Sequence, residues 1–150
     1  LRPDGSAAYF NLGAALGNSE HYAEAAQRYL EAKELYPVGS EHWALATAGA
    51  FNMLVTKECA EVAKPEWWND QELKALSSRV VRAAPNELKA NDMRALVLSG
   101  MLVGWEVGPR SAAELEEAAT HFERASALCC APAGKAQLTR HAACCRSQLR

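Results

Sequence analysis

Apolar residues recur every three or four positions along most of the chain, a spacing that places them on one face of an α-helix. Tyr9, Leu12 and Leu16 share a face in the first such stretch, and Leu73 and Val80 do so further along. Alanine is abundant and β-branched residues are sparse, which also favours helix. The pattern therefore predicts an all-α protein.

Prolines divide this helical pattern into units. Pro3 and Pro37 lie 34 positions apart, and Pro85 and Pro132 follow after 48 and 47 further positions. Because proline cannot continue a helix, each of these residues is expected to close a unit. The predicted single domain, 1–150, contains three helical pairs and a final capping helix, at 6–39, 40–85, 86–131 and 133–149.

The second unit is longer than the first, and its extra residues are interpreted as longer helices and turns. Apolar periodicity from Trp43 through Val55 predicts a first helix that ends only at Lys64 and Pro65. A second helix is expected to begin at Asn69 or Asp70, with one of these polar side chains as its N-cap, and to end at position 84.

The third unit is predicted to open with a similarly long helix. It carries Met93 and Val103, and it is expected to end at Gly108 and Pro109. The glycines at positions 100, 104 and 108 would form one small-residue face of this helix. Ser111 and the glutamate at 114 predict a capping box for the next helix, and 131–134 is read as a turn.

The first unit carries the residue pattern of a known helical repeat. Its matching positions are Tyr9, Leu12, Gly13, Leu16, Ala25, Tyr29, Ala32 and Pro37. In this pattern an aromatic residue precedes a Leu-Gly pair, and small, aromatic and proline positions follow at fixed spacing. The unit therefore resembles a tetratricopeptide (TPR) repeat. Ala118, Phe122 and Ala125 match the same pattern in the third unit.

The TPR resemblance implies a particular architecture. It implies a right-handed α-α superhelix of about three TPR-like helical hairpins, with the C-terminal helix covering the last apolar face. Residues 1–5 resemble the end of a preceding repeat, so the chain is expected to be a fragment of a longer protein.

The same resemblance implies a groove along the first helix of each pair, which binds a peptide or helix of a partner protein. The positions transferred to this groove are Phe10, Ala14, Asn18, Glu41, Ala48, Phe51 and Asn52. In one branch of the family, Lys and Asn residues capture the C-terminal carboxylate of chaperones. Phe10 and Ala14 occupy two of those places here, so a hydrophobic or helical segment is the expected ligand.

The chain is interpreted as a non-catalytic interaction scaffold that needs no cofactor. It lacks a phosphate-binding glycine loop, a nucleophile elbow and a zinc-protease motif. Two alternatives stay open. One is a substrate-presenting or regulatory region of a larger enzyme, and the other is a self-assembly module that pairs with a second copy.

Charge and cysteine content narrow the partners and the compartment. The net charge of −2 gives no basic field for nucleic acid, and no apolar run approaches the length of a membrane span. Five cysteines, an odd number in a chain of this size, favour the cytoplasm or another reducing intracellular compartment.

Two residue clusters could have a more specific chemical role. A metal site could be built from His121, His141 and either Cys144 or Cys145, but buried free cysteines and solvated histidines explain the same residues and are preferred. Trp67 and Trp68 are adjacent in the second unit. Either both pack against the enlarged connection, or one is exposed as a binding hot spot.

Overall fold

The computed structural model describes residues 5–101 and 104–149. Within these ranges the chain is helical without strands, which confirms the all-α prediction. None of the helices in the described ranges combines the length and apolarity that crossing a bilayer requires. The α-helices are α1 (Ser6–Asn18), α2 (Tyr22–Leu35), α3 (Glu41–Leu54), α4 (Asp70–Ala83), α5 (Leu88–Ser99), α6 (Ala112–Leu128) and α7 (Pro132–Ser147).

Helices that follow one another in the chain pack against one another in space. The closest packing joins α1 with α2, α2 with α3, α5 with α6, and α6 with α7. Helix α4 lies against both α3 and α5, and α3 also contacts α5 directly. The described chain is thus a row of helices in which each helix packs against its neighbours in sequence.

Polar side chains set the starts of three helices. The Ser40 Oγ accepts a hydrogen bond from the backbone N–H of Trp43 at 3.1 Å, which caps α3. The Asn69 side chain accepts one from the N–H of Glu72 at 3.0 Å, which confirms the predicted start of α4. Ser111 forms the predicted capping box at the start of α6.

Two helices end earlier than the sequence predicts, so the two predicted long helices are wrong. Helix α3 ends at Leu54, ten residues before the predicted end at Lys64, and a connection with a short 3-10 turn at Lys57–Cys59 follows. Helix α5 ends at Ser99 because Gly100 adopts the left-handed backbone conformation, with φ 66°, that closes many helices.

The glycines at 100, 104 and 108 therefore lie in a connection and form no helical face. Val103, assigned to the long helix, lies outside the described residues, as do residues 1–4 of the predicted preceding repeat. Pro132 is the first residue of α7, where proline is favoured because its missing N–H has no helical partner. The predicted turn at 131–134 is therefore shorter than expected.

Small residues allow the first helices to approach each other around one buried aromatic ring. A Cβ atom on Gly49 of α3 would lie 2.8 Å from the ring of Tyr29, and one on Gly13 of α1 would lie 3.1 Å from it. Tyr29 itself is only 1% exposed. The ring of Tyr29 thus fills the space that the two glycines leave between α1 and α3.

Candidate functional site

Two long connections lie against each other and against α3: the first is 55–69, and the second is described at 100–101 and 104–111. The indole N–H of Trp68 donates a hydrogen bond to the carbonyl oxygen of Gly104 at 2.7 Å. The ring of Trp105 meets the ring of Trp68 edge-on, with 5.7 Å between centroids. Both indoles lie beside Phe51, at centroid distances of 5.4 Å and 6.0 Å.

A carboxylate fixes the second connection to the start of α4. Asp70 accepts hydrogen bonds from the indole N–H of Trp105 at 2.9 Å and from the backbone N–H of Gly108 at 3.1 Å. Two guanidinium nitrogens of Arg110 also donate to Asp70, at 2.9 Å and 2.6 Å. We call Phe51, Trp68, Trp105, Asp70 and Arg110 the loop clamp.

The electrostatics of the loop clamp hold Asp70 ionised. The hydrogen bond from Arg110, with those from Trp105 and Gly108, holds the pKa of Asp70 well below its ordinary range. The Arg110 side chain is only 6% exposed, and it also donates to the carbonyl oxygen of Val97 at 2.9 Å. Asp70 therefore supplies the counter-charge for a buried cation.

Two of the predicted groove residues lie in the core. Phe51 and Ala48 are fully buried, so neither side chain is available to a partner. For Phe51, the cause lies in the two long connections. The added residues fold back as connections and cover Phe51 with Trp68 and Trp105.

The other predicted groove residues keep some exposure. Phe10 is half-buried, with its ring against Tyr29 at a centroid distance of 5.4 Å. Ala14 is half-buried, Asn18 is exposed, and the spacing of four residues places both on the same face of α1 as Phe10. Glu41 at the start of α3 is exposed, and Asn52 near its end is half-buried.

Trp67 and Trp68 have different surroundings, although both are half-buried. Trp68 belongs to the loop clamp. Trp67 lines a cavity of about 260 Å³, together with Lys33, Trp43 and Arg79. The Lys33 ammonium lies 5.8 Å from the centroids of both the Trp43 and Trp67 rings. Burial lowers the pKa of Lys33.

A second cavity, of about 250 Å³, lies between α5 and α7 and reaches the end of α6. Its lining combines three leucines with polar side chains and contains one carboxyl group, that of Asp92. Burial raises the pKa of Asp92 to about 6. The lining residues are Leu88, Asp92, Leu96, Cys129, Gly134, Gln137, Leu138 and His141. We call this space the α5–α7 cavity.

The sequence interpretation missed Asp92. Its signal was a single acidic residue between Leu88 and Leu96, with a spacing of four residues on either side, which puts a carboxyl on an apolar helix face. Recognising the cavity also required knowing that α7 packs nearby. That proximity comes from tertiary packing and is not encoded locally.

His121 and His141 have different neighbours. The Asn91 amide N–H₂ donates to the carbonyl oxygens of Pro85 and Glu87, which leaves its oxygen to accept from His121 Nδ1 at 2.8 Å. The His141 ring packs edge-on against Phe122. The five cysteines form no disulfides. Across residues 5–101 and 104–149, no three potential ligands are grouped to hold a metal ion.

The sequence was compared with models of protein families and with curated proteins. No family model matches this chain, and no curated protein matches it in sequence.

Proposed function

We propose that this chain is a non-catalytic scaffold that binds a segment of a partner protein along the first helices of its helical pairs, as tetratricopeptide domains do. The observation that carries the proposal is the α5–α7 cavity, a recess between α5 and α7 that is lined partly by leucines and contains one unpaired carboxyl. Recesses of this kind hold the side chains that anchor a bound segment.

The loop clamp restricts where the partner lies. Trp68 and Trp105 cover the part of α3 that would line the middle of a groove. Contact is therefore expected at two places, the α5–α7 cavity and the face of α1 that carries Phe10, Ala14 and Asn18. Glu41 and Asn52 would border these contacts, and Trp67 is a further candidate on the separate cavity beside Lys33.

The remaining parts of the proposal follow from the same resemblance. The helical pairs would continue one another as a right-handed superhelix, with α7 as the capping helix. Five unpaired cysteines support a reducing intracellular compartment such as the cytoplasm. The partner is a protein, with no role assigned to nucleic acid, membrane or cofactor.

A self-assembly module is the second candidate, and one observation favours it. Leu12 is 45% exposed, and on α1 only Ser6 and Gly13 are buried, so an apolar side of this helix faces outward. A second copy of the chain could cover that side. Sedimentation analysis across a hundredfold range of concentration tests this: a rising mass that Leu12→Glu abolishes would support it, and a constant monomer mass would contradict it.

The scaffold proposal is tested by capture of the partner from a lysate of the native cells. Three baits are compared: the unaltered chain, Gln137→Trp and Ala136→Trp. Gln137 lines the α5–α7 cavity, and its replacement by Trp would obstruct the cavity. Ala136 is the neighbouring exposed residue on the same helix and does not line the cavity, so Ala136→Trp is the matched control.

The proposal expects one protein to be captured by the unaltered chain and by Ala136→Trp, and to be lost with Gln137→Trp. Circular dichroism must show the same helicity for all three baits. Equal capture by all three baits would contradict binding at the α5–α7 cavity. Equal loss of capture with both variants would contradict the claim that the cavity, rather than the whole exposed side of α7, holds the partner.

A further inference from the structure

We infer that the α5–α7 cavity receives a basic side chain, lysine or arginine, from the bound partner protein, with Asp92 as its counter-charge. This inference rests on the proposed scaffold function, because it specifies the chemistry of the segment that the scaffold binds.

The walls of the cavity suit the stem of a long basic side chain. Leu88 and Leu96 of α5 face it from one side, and Leu138 of α7 from another. Lysine and arginine bury their aliphatic stems on such surfaces while the charged end reaches a polar group. Cavities that enclose a whole small molecule measure about 300–1,000 Å³. A volume of about 250 Å³ therefore suits one inserted side chain.

The charge of the cavity specifies the occupant more narrowly than its shape. Burial is the only cause that shifts the pKa of Asp92, and no described residue donates a hydrogen bond to it or forms an ion pair with it. An ionised carboxyl in apolar surroundings is unfavourable until a cation pairs with it. A basic side chain would supply that cation.

The other titratable groups of the cavity do not take this role. Burial, with the nearby Arg140, lowers the pKa of His141, so its ring is neutral at pH 7. Cys129 at the end of α6 is the remaining titratable group in the lining. Neither His141 nor Cys129 supplies a positive charge to Asp92. The carboxyl of Asp92 is therefore available to pair with a cation of the partner.

Other occupants fit the cavity less well. An acidic side chain would place a second negative charge beside Asp92, and two close carboxylates repel. An uncharged aliphatic side chain would fill the walls but would seal the carboxyl away from water without a partner. A basic side chain can pack its aliphatic stem against the leucines of the cavity and pair its charge with Asp92.

The test uses small probes in an NMR titration of the whole chain at pH 7.5. The probes are the Nα-acetyl methylamides of lysine, arginine and norleucine. Norleucine has the same stem length as lysine without its charge. At least one of the two basic probes is expected to shift the backbone amides of the cavity residues, with at least tenfold tighter binding than the norleucine probe.

Asp92→Asn is expected to abolish this preference, because it keeps the size of the side chain and removes its charge. Glu106→Gln is the matched control, since Glu106 is exposed in the second connection and its replacement removes one negative charge away from the cavity. This variant should keep the preference.

Equal binding of the basic and norleucine probes, or a basic preference that survives in Asp92→Asn, would overturn the inference. Its failure is distinguishable from failure of the scaffold proposal. Suppose that the preference for basic probes is absent while Gln137→Trp still abolishes capture of the partner. The scaffold proposal is then retained, and the inference that the cavity receives a basic side chain is wrong.

Discussion

The substitution Asp70→Asn is expected to lower the free energy of unfolding by about 2–4 kcal/mol at pH 7. It removes the only negative charge that contacts Arg110 within the described residues, while preserving most of the volume of the side chain. Breaking a buried ion pair from one side costs about 3–5 kcal/mol, because the remaining charge is uncompensated. The Asp70 side chain is 20% exposed. Solvent screening therefore lowers the expected loss from about 3–5 kcal/mol to about 2–4 kcal/mol.

Urea unfolding followed by circular dichroism measures this loss, and a double-mutant cycle assigns it to the pair. The cycle compares Asp70→Asn, Arg110→Met and the double variant. Methionine keeps an aliphatic stem at position 110 without the charge. The double variant should lose less stability than the two single losses together, because neither charge is then left unpaired.

The pH dependence gives a second check with a defined sign. The pKa of Asp70 is held below its ordinary value, so its contribution is complete above the pKa of the unfolded chain, near 3.8. It is lost as the pH falls through the lower pKa of the folded state. The gap between the unaltered chain and Asp70→Asn should therefore narrow as the pH drops below about 4. A loss under about 0.5 kcal/mol at pH 7, or a gap that widens in acid, would refute this reasoning.

Three further predictions follow from burial. Asp92→Asn should stabilise the fold by about 1–3 kcal/mol at pH 7.5 in urea unfolding, because the raised pKa makes its ionised form unfavourable there; this gain should vanish as the pH falls from 6 to 4, and a gain independent of pH would contradict it. Gly49→Ala should lower the free energy of unfolding by about 1–3 kcal/mol, because the new Cβ meets the Tyr29 ring at 2.8 Å; unchanged thermal stability would contradict it. Iodoacetamide should label exposed Cys144 well before buried Cys145, whose pKa burial raises to about 11; equal rates by mass spectrometry would contradict it.

Local signals were sufficient to predict where two helices begin. Asn69 and Ser111 cap α4 and α6 through side-chain hydrogen bonds to residues three positions ahead, so the evidence lies within one turn of the chain. The helix ends were harder to predict. Apolar residues continue in the sequence after Leu54 and Ser99, so the hydrophobic pattern does not mark the ends of α3 and α5.

The candidate site was predicted only in part, for a similar reason. The resemblance placed Phe51 on an open groove because it carries the geometry of ordinary repeats, which have no long connections to cover it. The α5–α7 cavity depends on residues about fifty positions apart, such as Asp92 and His141, that come together only through packing on α6. No short sequence pattern contains that information.

The central claim, that a partner segment occupies the α5–α7 cavity, is tested most directly by photocrosslinking in the native cells. A small diazirine side chain, about the size of methionine and therefore unable to block the cavity, is placed at position 137, and at position 136 as the control. The claim predicts one protein crosslinked from position 137 and several-fold less of it from position 136. The linked segment should contain a lysine or arginine. Equal crosslinking from both positions, or none from position 137, would contradict the claim.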